Sequence, residues 1–173
     1  MSATSLVAQM KAGLEAPICL TWELTYACNL QCVHCLSSSG QRDERELTTA
    51  EAKRVLDELH DLQVFYVNIG GGEPMVRRDV EELVAYADGL GYYTNLITSG
   101  VGLTPERLKA LKKVGLKQVQ LSIQACDSEL NERMVGIDVF DHKVAIGRAI
   151  KAEGLPIVLN VPVSRYNIHF TAE

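Results

Sequence analysis

The sequence predicts an α/β fold built on a parallel sheet. Two observations carry this. Five runs rich in strand-forming residues alternate with amphipathic helical stretches, and unusual motifs fall just past the ends of the first, second and fourth strands. Strands that alternate with helices pair in parallel through crossover connections. Both barrels and open sheets of this class gather their sites at the carboxyl ends of the strands.

The elements follow in order. Leu6, Met10 and Leu14 recur every four residues within Met1–Ala16, which allows either a short amphipathic helix or a loosely ordered tail. The first strand is Ile18–Thr25, with Cys19 read as a small buried hydrophobe. A polar connection without periodicity, Ser37 to Glu46, leads to Thr48-Thr49-Ala50-Glu51, a capping box that opens a helix with Ala52, Val55, Leu56 and Leu59 as its buried stripe. The second strand, Val64–Ile69, runs into Gly70-Gly71-Gly72-Glu73-Pro74. Glycines in such a place let the backbone approach a ligand closely.

A helix from Asp79 to Leu90 buries Val80, Leu83, Val84 and Ala87, and Gly89-Leu90-Gly91 ends it. The third strand is Tyr92–Thr98. Thr104-Pro105-Glu106 starts the next helix with a cap and an N1 proline, and Gly115 stops it. The fourth strand, Gln118–Gln124, is followed by Asn131-Glu132-Arg133 in a loop or helix, then a helix over Val144–Glu153 and a fifth strand over Pro156–Val163. His60, His142 and His169 lack metal-ligand spacing and read as surface or packing residues.

At 173 residues the chain has the length of one domain with a real core. A hydrophobic content of 47% with 23% charged residues is ordinary for a globular protein. The net charge of −5 gives no electrostatic case for nucleic acid. The apolar runs are too short for a membrane span, and Met1–Ala16 is not a signal peptide. Cysteines used as thiolates suit a reduced, cytoplasmic compartment.

The chemistry concentrates in Cys28-Asn-Leu-Gln-Cys32-Val-His34-Cys35, a C-x3-C-x2-C loop leaving the first strand. Structural zinc needs four ligands. His34 is the only nearby candidate for the fourth, and its place between Cys32 and Cys35 makes one shared ion awkward. A disulfide would leave an odd thiol. Three thiolates instead suit three irons of a 4Fe–4S cluster, leaving the fourth iron open to substrate.

Cys28, Cys32 and Cys35, with His34 at a position that is usually aromatic, resemble the C-x3-C-x-aromatic-C signature of the radical S-adenosylmethionine (SAM) enzymes. Gly71, Gly72 and Glu73 resemble that family's Gly-Gly-Glu-Pro motif. The resemblance implies a partial (β/α) barrel, with about five of the usual six β/α units present here. It also implies a 4Fe–4S cluster whose open iron is chelated by the amino and carboxylate groups of SAM. One electron then releases a 5′-deoxyadenosyl radical that abstracts hydrogen from substrate. Gly71, Gly72 and Glu73 would hold the SAM amino group, with Glu73 accepting from the ammonium. Ser122 and Gln124 are candidates to meet the ribose, against the reading of a solvated strand end, and Asn160 is a further SAM-facing polar group. Arg133 would either reach the SAM carboxylate or be an ordinary surface charge.

Two branches are resembled in detail. Gly91–Gly100, Gln120–Ala125 and Val158–Asn160 are similar to the peptide cyclases of pyrroloquinoline quinone (PQQ) biosynthesis, which join a glutamate to a tyrosine. Leu20–Cys28, Val33–Gly40 and Val64–Pro74 are similar to the mycofactocin maturases, which act on a C-terminal valine–tyrosine pair. Both imply a ribosomally made peptide substrate, a small leader-peptide-binding chaperone, and a reductant such as a flavodoxin or ferredoxin. The PQQ-type cross-link is the first expectation and the mycofactocin type the alternative, beside a tetrapyrrole-modifying enzyme and an inactive cluster- or peptide-binding fragment. The expected organisation is a tail over 1–16 and a radical SAM core over 17–173. That core would stop before the last barrel unit and the SPASM domain, whose auxiliary clusters cannot be built from Cys19 and Cys126 alone.

Overall fold

The structure is a computed structural model that describes Gly13 and residues 17–170. The expected helix through Leu6, Met10 and Leu14 lies outside the described residues. The elements are β1 (Cys19–Thr25), α1 (Thr49–Asp61), β2 (Tyr66–Gly71), a 3-10 turn (Pro74–Val76), α2 (Val80–Gly89), β3 (Tyr93–Thr98), α3 (Pro105–Lys113), β4 (Gln118–Ser122), α4 (Ser128–Val135), α5 (Phe140–Ala152) and β5 (Ile157–Asn160). The five strands form one parallel sheet in the order β1-β2-β3-β4-β5. This is the expected partial barrel, an open sheet in which each strand neighbours the next in the chain.

Local chemistry explains the boundaries. The Thr48 hydroxyl accepts from Glu51 N while the Glu51 carboxylate accepts from Thr48 N, completing the capping box. Thr104 and Asp127 cap α3 and α4 with their side chains, accepting from Arg107 N and Leu130 N, without the reciprocal bond. The segment holding Asn131 and Arg133 is thus a helix, and Gly136 ends it at φ 88°. α5 begins four residues before the expected Val144. Its N-cap, Val139, makes no side-chain capping bond, and Lys143 fills a core position on the face with Ile146 and Ile150. β5 stops at Asn160 rather than Val163. Pro162 has no N–H for a ladder, and its carbonyl accepts from Asn167 Nδ2 at 2.8 Å, with residues 165–170 forming turns.

The two faces of the sheet differ in kind. The outer face packs Leu24, Val67, Ile69, Leu96, Val119 and Leu121 against the helices in one continuous core. The inner face is polar. Asn95 Nδ2 donates to Asn68 Oδ1 at 2.7 Å, Asn68 Nδ2 donates to Thr21 Oγ1 at 3.3 Å, and the rings of Tyr66 and Tyr93 stack 5.2 Å apart. Cys19 belongs to this inner face. It is exposed, with Asn68 Nδ2 3.5 Å from its sulfur, and is not the buried hydrophobe that the sequence suggested. A strand alternates its side chains, and Leu20 and Trp22 take the core side.

The cysteine loop leaves β1 where the strand register shifts between Glu23 and Thr25. Its entry is held by Glu46, whose carboxylate accepts from Thr25 Oγ1, Tyr26 N at 2.7 Å and Asp43 N at 3.2 Å, and pairs with Arg42 at 3.2 Å. Burial would raise the Glu46 carboxyl, but these partners outweigh it and hold it below the ordinary glutamate value. Its stabilising contribution is therefore present above the unfolded pKa and lost as pH falls through the folded one. Glu46→Ala is expected to cost about 1.5–3 kcal/mol in urea unfolding at pH 7. The difference from wild type should shrink in acid, and an unchanged unfolding midpoint would remove Glu46 from this role.

Candidate cofactor site at the strand ends

Four β-strand ends and the cysteine loop meet around one cavity of about 390 Å³. Its wall includes Cys28, Cys32, Cys35 and His34 from the loop, Gly70, Gly71 and Gly72 from the end of β2, Ser99 after β3, Ser122 and Gln124 at the end of β4, and Asn160 of β5. The structure thus brings the three cysteines together with the glycines, Ser122, Gln124 and Asn160. Of the candidates the sequence singled out, only Glu73 and Arg133 do not line this cavity.

The glycines are required by a protein contact rather than by open space for a ligand. A Cβ on Gly72 would lie 2.3 Å from Ala27 O, and one on Gly71 would lie 2.4 Å from Thr25 O. Gly71 also holds φ 124°. This close approach lets Gly72 N donate to Thr25 O at 2.7 Å and Glu73 N to Ala27 O at 2.9 Å, so the end of β2 grips the base of the cysteine loop.

Glu73 is fully buried, and its carboxylate points into the protein. One oxygen accepts from Thr98 Oγ1 at 2.7 Å and Met75 N at 3.0 Å; the other accepts from Ser99 Oγ at 2.6 Å and Ser99 N at 2.8 Å. Burial pushes its pKa up, and these four bonds oppose the push. The carboxylate therefore organises Ser99, which does reach the cavity.

The loop itself is braced by α4. Gln31 N donates to Val135 O at 3.0 Å and Val33 N to Met134 O at 3.0 Å, while Leu30 packs on Met134 and Val135. Across its base, Cys28 N donates to Gly40 O and Gly40 N to Tyr26 O. Burial raises the Cys28 and Cys32 thiols, which also interact electrostatically with each other and with Cys35. Cys35 goes the other way. Burial would raise it, but the Ser37 hydroxyl and the backbone N–H groups of Ser37, Ser38 and Ser39 favour the thiolate. His34 is held below its ordinary pKa by burial and by Lys143, so its ring is neutral at pH 7, and its Nδ1 has no partner among the described residues.

Among the described residues, no group of three or more His, Cys, Asp or Glu side chains is close enough to hold a single metal ion. The three thiols line one cavity on a loop fixed by the end of β2, by α4 and across its own base, and three thiolates in one place suit three irons of a 4Fe–4S cluster.

Lys143 was not visible as a site residue in the sequence. Its side chain is fully buried, and its Nζ donates to Gln124 Oε1 at 2.5 Å and Ser122 O at 3.3 Å. Asn167 was also missed. It is buried and donates to Gln124 O at 2.9 Å. Arg133 does not reach the cavity; its guanidinium lies 5.3 Å from the Tyr166 ring centre on the exposed side of α4.

The Radical SAM superfamily profile matches residues 22–168, and the chain belongs to that superfamily, whose members use a 4Fe–4S cluster and SAM. The chain is 49% identical over 164 residues to the mycofactocin maturase MftC of Mycolicibacterium smegmatis, a match covering 94% of this chain and 42% of that protein. It is 48% identical over the same length to MftC of Mycobacterium tuberculosis, again covering 94% and 42%. The chain therefore spans about two-fifths of the length of these curated relatives. Among solved structures, Streptococcus suis SuiB bound to its precursor peptide SuiA superposes with a TM-score of 0.74 at 25% identity, covering 89% of this chain and 35% of that one. The structure of anSMEcpe with bound AdoMet shares the fold, with a TM-score of 0.67 at 18% identity over 82% of this chain and 42% of that one. The mycofactocin match runs through both halves of the chain, so the comparisons do not support PQQ biosynthesis as its process. No helix among the described residues is long and apolar enough to cross a membrane.

Two expectations follow. Gly72→Ala forces Cβ into the Ala27 carbonyl and should destabilise the chain by about 1–3 kcal/mol in urea unfolding. Iron bound after anaerobic reconstitution should fall in parallel, whereas normal stability with full iron loading would contradict the contact. The second concerns Lys143, which burial pulls down from 10.5 to about 8. The folded state then binds fewer protons than the unfolded chain between those values, so Lys143 adds stability as pH rises from 8 to 10.5. Unfolding of the iron-free wild type and Lys143→Met at pH 7.5 and pH 10 should show wild type gaining relative to the variant on the alkaline side. Cys28 and Cys32, raised by burial, act in the opposite direction; removing Lys143 takes away a charge that lowers Cys32, so the variant falls further on the alkaline side and the difference keeps its sign.

Proposed function

We propose that this chain is the radical SAM core of a peptide maturase of the mycofactocin type. The observation that carries the reading is the convergence of Cys28, Cys32 and Cys35 on the same cavity as the glycine-rich end of β2 and the polar ends of β4 and β5, in a chain 49% identical to mycofactocin maturases. Cys28, Cys32 and Cys35 would hold the 4Fe–4S cluster. Gly71, Gly72, Ser99, Ser122, Gln124 and Asn160 would surround SAM, with His34 beside the cluster. Together the cluster and SAM supply a radical that removes a hydrogen atom from substrate.

The chain's own groups bind and orient. Backbone N–H groups in the loop stabilise the Cys35 thiolate, and the polar inner face of the sheet leads from the cavity toward Tyr66 and Tyr93. The substrate under this reading is a ribosomally made peptide ending in valine–tyrosine, delivered by a small leader-binding protein, with a flavodoxin or ferredoxin as reductant. The precursor peptide bound to SuiB supports a peptide as the substrate class.

The test is anaerobic reconstitution with iron and sulfide, then reaction with SAM, reductant, leader-binding partner and peptide. The chain is expected to release 5′-deoxyadenosine and change the mass of a peptide ending in valine–tyrosine, but not of one whose glutamate and tyrosine lie in the interior. Cys32→Ala should lower 5′-deoxyadenosine at least a hundredfold, because a cluster with two protein ligands is not retained. A chain that loads iron and binds SAM without releasing 5′-deoxyadenosine would overturn the proposal.

A further inference from the structure

Lys143 is a buried cation that makes no ion pair among the described residues. Of its three N–H donors, two meet Gln124 Oε1 and Ser122 O at 2.5 and 3.3 Å. An ammonium can only donate, so its partner on Gln124 must be the carbonyl oxygen, and this fixes which way the amide faces. The amide nitrogen of Gln124 donates to no group among the described residues, while Gln124 itself lines the cavity beside Ser122 and Asn160. The backbone on either side of the amide is also tied down. Asn167 Nδ2 donates to Gln124 O at 2.9 Å, and Ile123 N donates to Asn160 O at 3.0 Å.

We propose that Lys143 is a positioning residue, which pins the carbonyl of Gln124 so that the amide NH2 is presented to the cavity as a donor to an oxygen acceptor of SAM. Such acceptors exist in the carboxylate and the ribose of SAM. Without Lys143 the amide is free to turn by a half rotation and offer its carbonyl instead, which repels the same acceptor. Among the described residues the lysine hydrogen-bonds to Gln124 and Ser122 and to none of the three cysteines, and it acts through Gln124. The inference rests on the cavity being the SAM site.

The experiment measures SAM affinity of the reconstituted, oxidised 173-residue chain by equilibrium dialysis, with no reductant present, so no turnover is needed. Lys143→Met and Gln124→Met are each expected to weaken SAM binding about tenfold, the loss of one well-placed hydrogen bond. The double variant should be no weaker than either single one by more than about twofold, since the lysine's effect passes through the amide. Lys143→Arg, which keeps the donors, should restore affinity to within about threefold of wild type. Wild-type affinity in Lys143→Met, or losses that multiply to about a hundredfold in the double variant, would overturn the proposal. Gln124→Glu keeps the bond to Lys143 and replaces the NH2 donor with an acceptor, so it covers the case in which Lys143→Met fails to fold or to load iron. It should lose at least tenfold, and wild-type affinity there would overturn the donor role. A wild-type chain that binds no SAM at all would instead overturn the reading of the cavity, and this inference with it.

Discussion

The grip of the β2 end on the base of the cysteine loop is the contact on which the site depends. The loop from Tyr26 to Gly40 contains no helix and no strand beyond one isolated bridge, between Ala27 and Gly40. Its backbone donors and acceptors must therefore find partners elsewhere. Thr25 O and Ala27 O find them in Gly72 N and Glu73 N, and only glycine at positions 71 and 72 lets the chains come that close. The glycine motif is thus first a structural clasp. Whatever it does for a ligand, it does with a backbone whose path is already set by the loop that carries the cysteines.

Around this clasp the structure spends buried charge. Glu73 and Lys143 sit buried at or near the strand ends with no opposite charge paired to either among the described residues, while the part-buried Glu46 pairs with the exposed Arg42. Glu73 meets four neutral donors, and Lys143 meets a side-chain amide and a carbonyl. Burying a lone charge is costly unless hydrogen bonds replace its hydration. Such arrangements specify geometry well because every partner must be in place. Lys143 also feels Cys32, Glu73 and Cys28 at longer range, which places one positive charge behind a site built for thiolates.

Much of the scaffold was legible from the residues. The strand–helix alternation, the capping box at Thr48 and Glu51, the cap and proline at Thr104 and Pro105, and the cysteine spacing each carry a local signal that tertiary structure has no reason to override. The parts that were not legible have physical causes. Glu46 stands in a polar stretch without periodicity, and only the fold reveals that its carboxylate faces Thr25 Oγ1 and Tyr26 N, about twenty residues back in the chain. Lys143 breaks the apolar stripe of α5, so the pattern that finds helices skipped both the first turn and the lysine. Cys19 alternates correctly with Leu20, yet the assignment of inside and outside reverses because the inner face of this sheet is open and polar. Pattern reading takes the apolar side as the only interior, whereas a partial barrel has a second, wet one.

That second interior explains why the candidate residues come from so many strands. Parallel strands in sequential order deliver their carboxyl ends in a single arc, so β1 supplies the cysteine loop, β2 the glycines, β3 Ser99, β4 Ser122 and Gln124, and β5 Asn160. Register reinforces the arc: Ser122 pairs with Asn160, and Glu23 pairs with Gly70, each at the same height of the sheet. Because the outer face carries the core, the residues at these ends are released from packing duty and their identity is set by what they present to the cavity. The helices matter to the site only where they reach past the sheet: α4 with its last carbonyls under the cysteine loop, and α5 with one lysine through the core to Gln124. A change in the core beneath either helix therefore acts on the site by moving that one contact, while the other strand ends hold their places.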